Sequence, residues 1–177
     1  APSDLAHWGA DLKPGMRAPG DAPVTGVSWF AARAYAQAHG KRLPTQAEWE
    51  RAAAAGPDRD GTGDDPEFLR RILRWYSQPS RLPLPPVRST EANLFGVWDL
   101  HGLVWEWVGD FNNALVTGES RADAALERDL FCGSGALGAS TFRDYAAFMR
   151  YAFRSSLQAD YTVQNLGFRC AQDEEKP

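Results

Sequence analysis

Residues 40–50, GKRLPTQAEWE, contain the end of one helix and the start of the next. Gly40 is typical of the position that ends a helix, because glycine adopts a positive φ without steric cost. Thr45 and Glu48 form a capping box, in which each side chain accepts a hydrogen bond from the backbone N–H of the other residue. The stretch predicts a helix that begins after Thr45 and ends at Gly56. The apolar face of this helix comprises Trp49, Ala52 and Ala53.

Helices are also predicted on both sides of this stretch. Ser28 is a good N-cap for a helix that Gly40 ends. Its apolar face repeats at i, i+3, i+4 and i+7 and consists of Ala31, Ala34, Tyr35 and Ala38. Asp65 and Pro66 supply an N-cap and an N1 proline for a third helix, with a face of Phe68, Leu69, Ile72 and Tyr76. Residues 142–153 fit either a helical face or a strand, so both interpretations stay open.

The sequence after residue 90 favours short strands between turns. Segments 96–98, 103–108 and 166–170 are rich in Trp, Val and Phe. The chain has 7 Trp, 16 Gly and 12 Pro, a combination of large rings and turn formers that favours an irregular, aromatic core. We therefore expect an α+β fold with short helices, short strands and little regular structure. Residues 1–26 are expected to be an extended segment and residues 173–177 a solvated tail.

Composition excludes several functional classes. The 177 residues suffice for one compact domain. The net charge is −4 and no Lys/Arg cluster stands out, which argues against binding to nucleic acid or to an anionic membrane surface. No apolar run approaches the roughly 20 residues of a membrane-spanning helix, so we expect no membrane span.

Three ordered motifs resemble the formylglycine-generating enzyme family, also called sulfatase-modifying factors. They are VSW (27–29) with GKRLPTQAEWE (40–50), NLFGVWDLHG (93–102) with WEW (105–107), and NLGFRC (165–170). The resemblance implies an α+β domain over residues 27–172, related to C-type lectins. Family domains carry on the order of a hundred residues before the VSW block. The resemblance therefore implies that the N-terminal portion of the domain is missing, and a second chain could supply it.

The resemblance also locates the family's copper site. Its oxidases convert a substrate cysteine to formylglycine with O2 and Cu(I), which two cysteines five residues apart hold before an Arg-Ser pair. Counting back from Arg154-Ser155 in this sequence places those cysteines on Thr141 and Ala146. Neither residue binds soft Cu(I), so we expect the oxidase chemistry of the family to be absent.

The two cysteines of the chain, Cys132 and Cys170, permit one disulfide, two free thiols or a two-thiolate metal or redox site. The resemblance places the strands that carry them side by side, so we expect the thiols to lie close in space. A disulfide favours a periplasmic or other extracytoplasmic location, because cytosolic thiols stay reduced. A cytoplasmic location is the alternative.

A calcium site is the metal site that the resemblance implies. Its ligands are the carboxylates of Asp99 and Glu106 and the backbone carbonyls of Gly102 and Val104, all of them the oxygen donors that a hard cation prefers. The alternative is that Asp99 caps a turn and Glu106 pairs with an arginine.

Aromatic and histidine side chains carry weaker signals. Five tryptophans could line a ligand groove, but we expect them to form core: Trp29, Trp49, Trp98, Trp105 and Trp107. His101 could face a cleft, but we expect it in a surface or capping role.

We therefore expect a diverged family member that lacks the copper dithiolate and binds a peptide or protein partner, as a binding or maturation module. The competing hypothesis is a copper- or thiol-dependent oxidoreductase that uses Cys132 and Cys170. Iron-dependent sulfoxide synthases of the same family are a third option, but their His-rich iron-binding domain is absent from this sequence.

Overall fold

The computed structural model describes residues 1–9, 13–61, 65–80, 82–111 and 142–174. Within these ranges the chain forms four helices and two strands. The helices are α1 (Trp29–Ala38), α2 (Gln46–Ala53), α3 (Pro66–Tyr76) and α4 (Phe142–Ser155). The strands are β1 (Trp105–Trp107) and β2 (Leu166–Phe168). This mixture of short elements confirms the α+β prediction, and the relationship to C-type lectins stays a prediction.

The predicted helix caps are all present. The Ser28 hydroxyl accepts from the backbone N–H of Ala31 at 3.3 Å. Thr45 and Glu48 form the complete capping box at the start of α2. The Asp65 carboxylate accepts from the first backbone N–H groups of α3. Gly40 follows α1 with φ +65°, as its role in ending the helix requires.

The apolar face predicted for α1 is wrong by one position. Ala32 and Ala36 are completely buried, whereas Ala34 and Ala38 are exposed and Tyr35 is 53% exposed. Almost every candidate on this helix is alanine, so the spacing alone does not distinguish one face from the next. The start of α1 is fixed near the end of β1, because the Trp29 indole N–H donates to the Val108 carbonyl at 3.0 Å.

The two strands form a parallel pair in which Glu106 is opposite Gly167. Thr25 makes an antiparallel bridge to Gly167 on the other side of β2. The predicted strand at 96–98 is absent. Instead, the Asn93 side chain accepts from the N–H groups of Phe95 and Val97, both at 3.0 Å, and closes a loop. A side chain thus satisfies the donors that a strand would offer to a neighbour.

Two further segments, residues 142–155 and 1–9, test the predictions with different results. Residues 142–155 are helical, which decides the ambiguity of that segment in favour of the helix. Residues 1–9, part of the segment predicted to be extended, instead form turns, with the Trp8 N–H donating to the Leu5 carbonyl at 2.9 Å. In the described part of the chain, no helix has the length and apolar character needed to cross a bilayer.

Two clusters of buried side chains hold these elements together. The larger cluster centres on Trp107, Val108 and Leu166, each fully buried. The Trp107 indole N–H donates to the Val27 carbonyl at 2.9 Å, which satisfies the polar atom of this buried ring. The smaller cluster packs Leu69 and Ile72 of α3 against Ala146 of α4.

We predict that Gly167→Ala destabilises the fold by about 1–3 kcal/mol, the usual cost of overpacking. A Cβ atom at this position would lie 2.5 Å from the Val24 carbonyl oxygen, and a backbone oxygen cannot rotate away. Urea unfolding followed by tryptophan fluorescence measures the change. Gly20→Ala is the matched control, because nothing lies within 4 Å of a Cβ there. Equal stability of the two variants would contradict the close packing at β2.

Candidate functional site

Three of the four predicted calcium ligands border one large cleft. Asp99, Val104 and Glu106 line this cleft of about 810 Å³, together with Cys170. Gly102 borders a different cavity of about 240 Å³. The structure thus brings most of the predicted set to one place. In the described part of the chain, no three His, Cys, Asp or Glu side chains are placed to share a metal ion.

Glu106 is paired with an arginine. Its Oε1 accepts from Arg169 Nη2 at 2.7 Å, and its Oε2 accepts from Arg169 Nε at 2.6 Å. The Trp49 indole N–H also donates to Oε2 at 2.7 Å. Burial lowers the pKa of Arg169, but the hydrogen bonds and charge of Glu106 outweigh it, so the pKa lies above its usual range. The charged guanidinium of Arg169 therefore makes a bidentate contact with the Glu106 carboxylate.

Asp99 stabilises a turn. Its Oδ1 accepts from the backbone N–H of Thr90 at 3.0 Å and from the Thr90 hydroxyl at 2.8 Å, and its Oδ2 accepts from the Arg88 N–H. The residue is 6% exposed and has φ 61°. Aspartate tolerates this left-handed backbone conformation better than most residues. Asp99 therefore caps a turn and Glu106 pairs with an arginine, as in the alternative to calcium binding.

These contacts still leave room for a cation in the donor set. Each carboxylate oxygen has two lone pairs. The Arg88 N–H occupies one at Asp99 Oδ2, and Arg169 occupies one at Glu106 Oε1. A hard cation could take the second lone pair of each of these two oxygens. The positive charge of Arg169 opposes such an ion. The carboxylate oxygens are donors that suit calcium, but a bound ion would compete with Arg169 for Glu106. The calcium site stays a prediction.

The structure describes only one of the two cysteines, Cys170. Cys170 borders the large cleft, and burial raises the pKa of its thiol, although Lys41 acts in the opposite direction. Cys132 and Thr141 lie outside the described residues, so the predicted closeness of Cys132 to Cys170 stays a prediction. Ala146, the other position onto which the resemblance places a copper ligand, is 1% exposed and lies between α3 and α4.

A buried charge cluster under α4 was not predicted from the sequence. Glu50 accepts from Arg150 at 2.6 to 2.9 Å and from Arg154 at 2.8 Å. The guanidinium of Arg154 also lies 4.4 Å from the ring of Trp49. A usable signal was present, because Arg150 and Arg154 are four residues apart and so lie on the same face of the helix. Their partner Glu50 is about a hundred positions away, and no local pattern indicates it.

Burial raises the pKa of Glu50, but the hydrogen bonds and charges of Arg150 and Arg154 outweigh it. The pKa of Glu50 therefore lies below its usual range. The carboxylate stays ionised and holds two cations against the core. Tyr76 joins the cluster by accepting from Arg150 Nη1 at 3.2 Å. Because burial dominates there, the pKa of Tyr76 is raised.

His101 takes the capping part of its predicted role, because its partner Ala53 is the last residue of α2, but it does not lie on the open surface. Its Nε2 lies 3.0 Å from the carbonyl oxygen of Ala53, and its ring meets Trp49 and Phe68 edge-on at 5.7 Å each. Burial, together with the charge of Arg150, lowers the pKa of His101 to about 4, so the imidazole is neutral near pH 7. It borders two cavities, which agrees with the alternative that it faces a cleft.

The tryptophans divide between core and cleft. Trp49 and Trp107 are buried, and Trp29 and Trp105 pack against the same core, as expected. Trp98 is 39% exposed and lines the large cleft. Trp105 also stacks on Tyr76 at 4.9 Å and contacts Phe153 at 4.4 Å, which extends the aromatic packing from α3 to α4.

We predict that Glu50→Gln lowers the free energy of unfolding by about 3 kcal/mol at pH 7, the lower end of the cost of breaking a buried pair, because it leaves the buried Arg154 and the half-buried Arg150 without a counter-charge. The pKa of Glu50 is lower in the folded chain than in the unfolded chain. Its stabilising effect is therefore complete above the ordinary glutamate value of about 4.3 and is lost as the pH falls below it. Denaturant unfolding at a series of pH values measures both effects.

The matched control is Glu91→Gln, which removes an exposed ion pair to Arg71 with an N–O distance of 3.6 Å. Exposed pairs contribute about 0–1 kcal/mol, so this variant should resemble wild type. A Glu50→Gln variant as stable as the control would contradict the buried cluster. So would a difference from wild type that does not shrink in acid.

Comparison with known proteins points to the family that the sequence motifs indicate. The family model of the sulfatase-modifying factor enzyme 1-like domain matches residues 3–174. The chain is 37% identical over 169 residues to a formylglycine-generating enzyme of Streptomyces coelicolor, which covers 85% of this chain and 52% of that protein. It is 31% identical over 199 residues to the inactive C-alpha-formylglycine-generating enzyme 2 of Bos taurus, with coverages of 99% and 59%. The chain thus spans little more than half the length of these curated relatives.

No solved structure matches the chain. The match to the family model nevertheless extends over almost the whole sequence, and it includes all three motifs and both charge clusters. The chain therefore belongs to the sulfatase-modifying factor, or formylglycine-generating enzyme, family.

Proposed function

We propose that this chain is a peptide- or protein-binding module of its family, with a role in binding or maturation and without copper oxidase chemistry. The observation that carries the proposal is the cysteine content. The sequence has two cysteines, Cys132 and Cys170, and they lie far apart along the chain, so no pair five residues apart exists. Helix α4 contains no cysteine, and Ala146 is buried against α3.

The similarities support a binding role in two ways. One relative bears the name of an inactive formylglycine-generating enzyme, so loss of activity has a precedent among proteins similar to this chain. The family's enzymes act on protein substrates, so a member without the copper ligands can retain the surface that recognises a peptide. In this chain, the half-buried rings of Trp105, Tyr76 and Phe153 lie where α3 and α4 meet. Aromatic rings of this kind are frequent anchors in protein interfaces.

The alternative is a copper- or thiol-dependent oxidoreductase that uses Cys132 and Cys170. Such chemistry needs thiolates, because the thiolate is the metal ligand and the nucleophile. Burial raises the pKa of Cys170 and so disfavours its thiolate form near pH 7. The alternative therefore has less support than the binding role. An extracytoplasmic location is part of the proposal only if the two cysteines form a disulfide.

We predict that the chain binds a cysteine-containing sulfatase-type peptide and leaves it chemically unchanged. Trp105→Ala should weaken binding at least tenfold if Trp105 is an anchor of the size usual in interfaces. The matched control is Trp98→Ala, which removes the tryptophan that lines the large cleft. Fluorescence anisotropy measures the affinity, and mass spectrometry after incubation with copper, oxygen and a thiol detects conversion.

Two results would contradict this prediction. The mass loss of cysteine-to-formylglycine conversion, above background, would restore the oxidase function. Absence of binding, or equal losses in the two tryptophan variants, would remove the peptide-binding role at this surface.

We also propose one calcium ion at Asp99, Gly102, Val104 and Glu106. When bound, the ion would supply a structural cross-link between the loop and β1. We predict that calcium raises the melting temperature by mass action, equivalent to about 2.7 kcal/mol when its concentration is a hundred times Kd. Asp99→Ala should remove this calcium-dependent increment, whereas Asp160→Ala, at an exposed aspartate, should retain it. A melting temperature that ignores both calcium and chelator would contradict the site.

A further inference from the structure

Arg169 has hydrogen-bond donors that the chain itself does not use. Its Nε and Nη2 donate to Glu106, and Nη2 also donates to the Trp98 carbonyl at 3.0 Å. Nη1 carries two further N–H groups, and no described residue accepts from them. In the described part of the chain, the buried side-chain nitrogens and oxygens without a partner are Thr25 Oγ1 and His101 Nδ1, so Arg169 Nη1 is accessible. The outer edge of this guanidinium is therefore open to a ligand.

Arg169 lines the large cleft of about 810 Å³. Most of the other lining residues are apolar or aromatic, among them Trp8, Val27, Leu103 and Phe168. Tyr35 and Trp98 of the same wall are exposed, so part of its aromatic surface is uncovered. Sites for small molecules typically have volumes of about 300–1,000 Å³ and combine apolar walls with a few polar groups. The cleft has the size and the composition of such a site.

The charges along the wall favour an uncharged acceptor. Four lining residues are charged, the two arginines Arg88 and Arg169 and the two carboxylates Asp99 and Glu106, so their formal charges cancel. Glu106 already pairs with Arg169 at 2.6 Å. A ligand carboxylate would meet two like charges beside a guanidinium that is already paired. An ammonium ion can only donate, so it has no hydrogen bond to make with Nη1. A carbonyl oxygen accepts from Nη1 without either disadvantage.

Water can also accept from Nη1, so the hydrogen bond alone does not favour a ligand. An organic carbonyl compound makes the same hydrogen bond and also covers the apolar wall around it. Each Å² of apolar surface that is removed from water contributes about 25 cal/mol to binding. The uncovered rings of Tyr35 and Trp98 supply such surface. A ligand with a carbonyl group and an apolar body therefore gains more from the cleft than water does.

We propose that the large cleft binds a small uncharged organic molecule with an apolar body and a carbonyl group, whose oxygen accepts from Arg169 Nη1. This site is separate from the proposed peptide-binding surface, because Trp105, Tyr76 and Phe153 do not line the cleft. The inference therefore goes beyond the proposed function and does not depend on it.

Acetophenone, ethylbenzene and benzoate are the probes. The first two have a similar shape and differ in the carbonyl group, and benzoate adds a negative charge. The indole N–H resonances of the 7 tryptophans, assigned with single tryptophan-to-phenylalanine variants, report binding by NMR. We expect acetophenone to shift the resonances of Trp8 and Trp98 in a saturable way. Ethylbenzene should bind about tenfold more weakly, which corresponds to one hydrogen bond to a charged group, and benzoate should also bind more weakly than acetophenone.

Arg169→Lys is the first variant, because it keeps a cation for Glu106 and removes the outer edge of the guanidinium. It should lose the preference for acetophenone over ethylbenzene. If near-ultraviolet circular dichroism shows that it is misfolded, Val87→Asp replaces it, since Val87 is an exposed residue of the same wall. This charge should weaken acetophenone binding while Arg169 remains. Leu94→Asp is the matched control, because Leu94 is similarly exposed and does not line the cleft.

All titrations contain a chelator, so that the proposed calcium ion does not contribute. Four outcomes would overturn the proposal: no saturable shift of Trp8 and Trp98, equal affinity of the wild-type chain for acetophenone and ethylbenzene, tighter binding of benzoate, or equal effects of Val87→Asp and Leu94→Asp. Shifts of the same resonances when the protein concentration alone is raised would assign the cleft to a second copy of the chain, which also contradicts the proposal. Saturable binding of acetophenone with a tenfold preference over ethylbenzene, lost in Arg169→Lys, would support it.

Discussion

Trp49 is the side chain on which both buried charge clusters depend. Its indole N–H donates to Glu106, which Arg169 holds at the edge of the large cleft. Its ring lies under the guanidinium of Arg154, which Glu50 pairs from the same helix as Trp49. One residue of α2 therefore connects β1 to α4. A buried ion pair is stabilising only when its remaining polar atoms are satisfied, and Trp49 contributes to this at Glu106. At Arg154 its contribution is a cation–π contact.

The contacts that hold α4 in place are independent of the copper chemistry that the family's enzymes use. The position under α4 onto which the resemblance places a copper ligand is Ala146, and arginine–glutamate pairs and apolar contacts fix the helix there. None of these groups is a soft ligand, so a copper ion is not needed to hold α4 against α3. The contacts that hold α4 in place in this chain therefore do not require a metal ion.

Local contacts were predictable from the sequence, and distant ones were not. The caps at Ser28, Thr45 and Asp65 are correct because each is satisfied within three residues. The buried face of α1 was wrong because a run of alanines gives no contrast between faces. The Glu50 cluster and the contacts of His101 with Ala53 and Trp49 involve residues from distant parts of the chain. Two of the motifs that indicated the family, at 105–107 and 165–170, contain the two members of one such distant pair, Glu106 and Arg169.

A Cu(I) competition titration of the reduced chain tests the central claim most directly, which is that the site contains no copper dithiolate. A chromogenic Cu(I) chelator should keep its copper in the presence of the wild-type chain. Cys132→Ser and Cys170→Ser variants should give the same result. Transfer of one equivalent of copper to the wild-type chain, lost in either variant, would contradict the account.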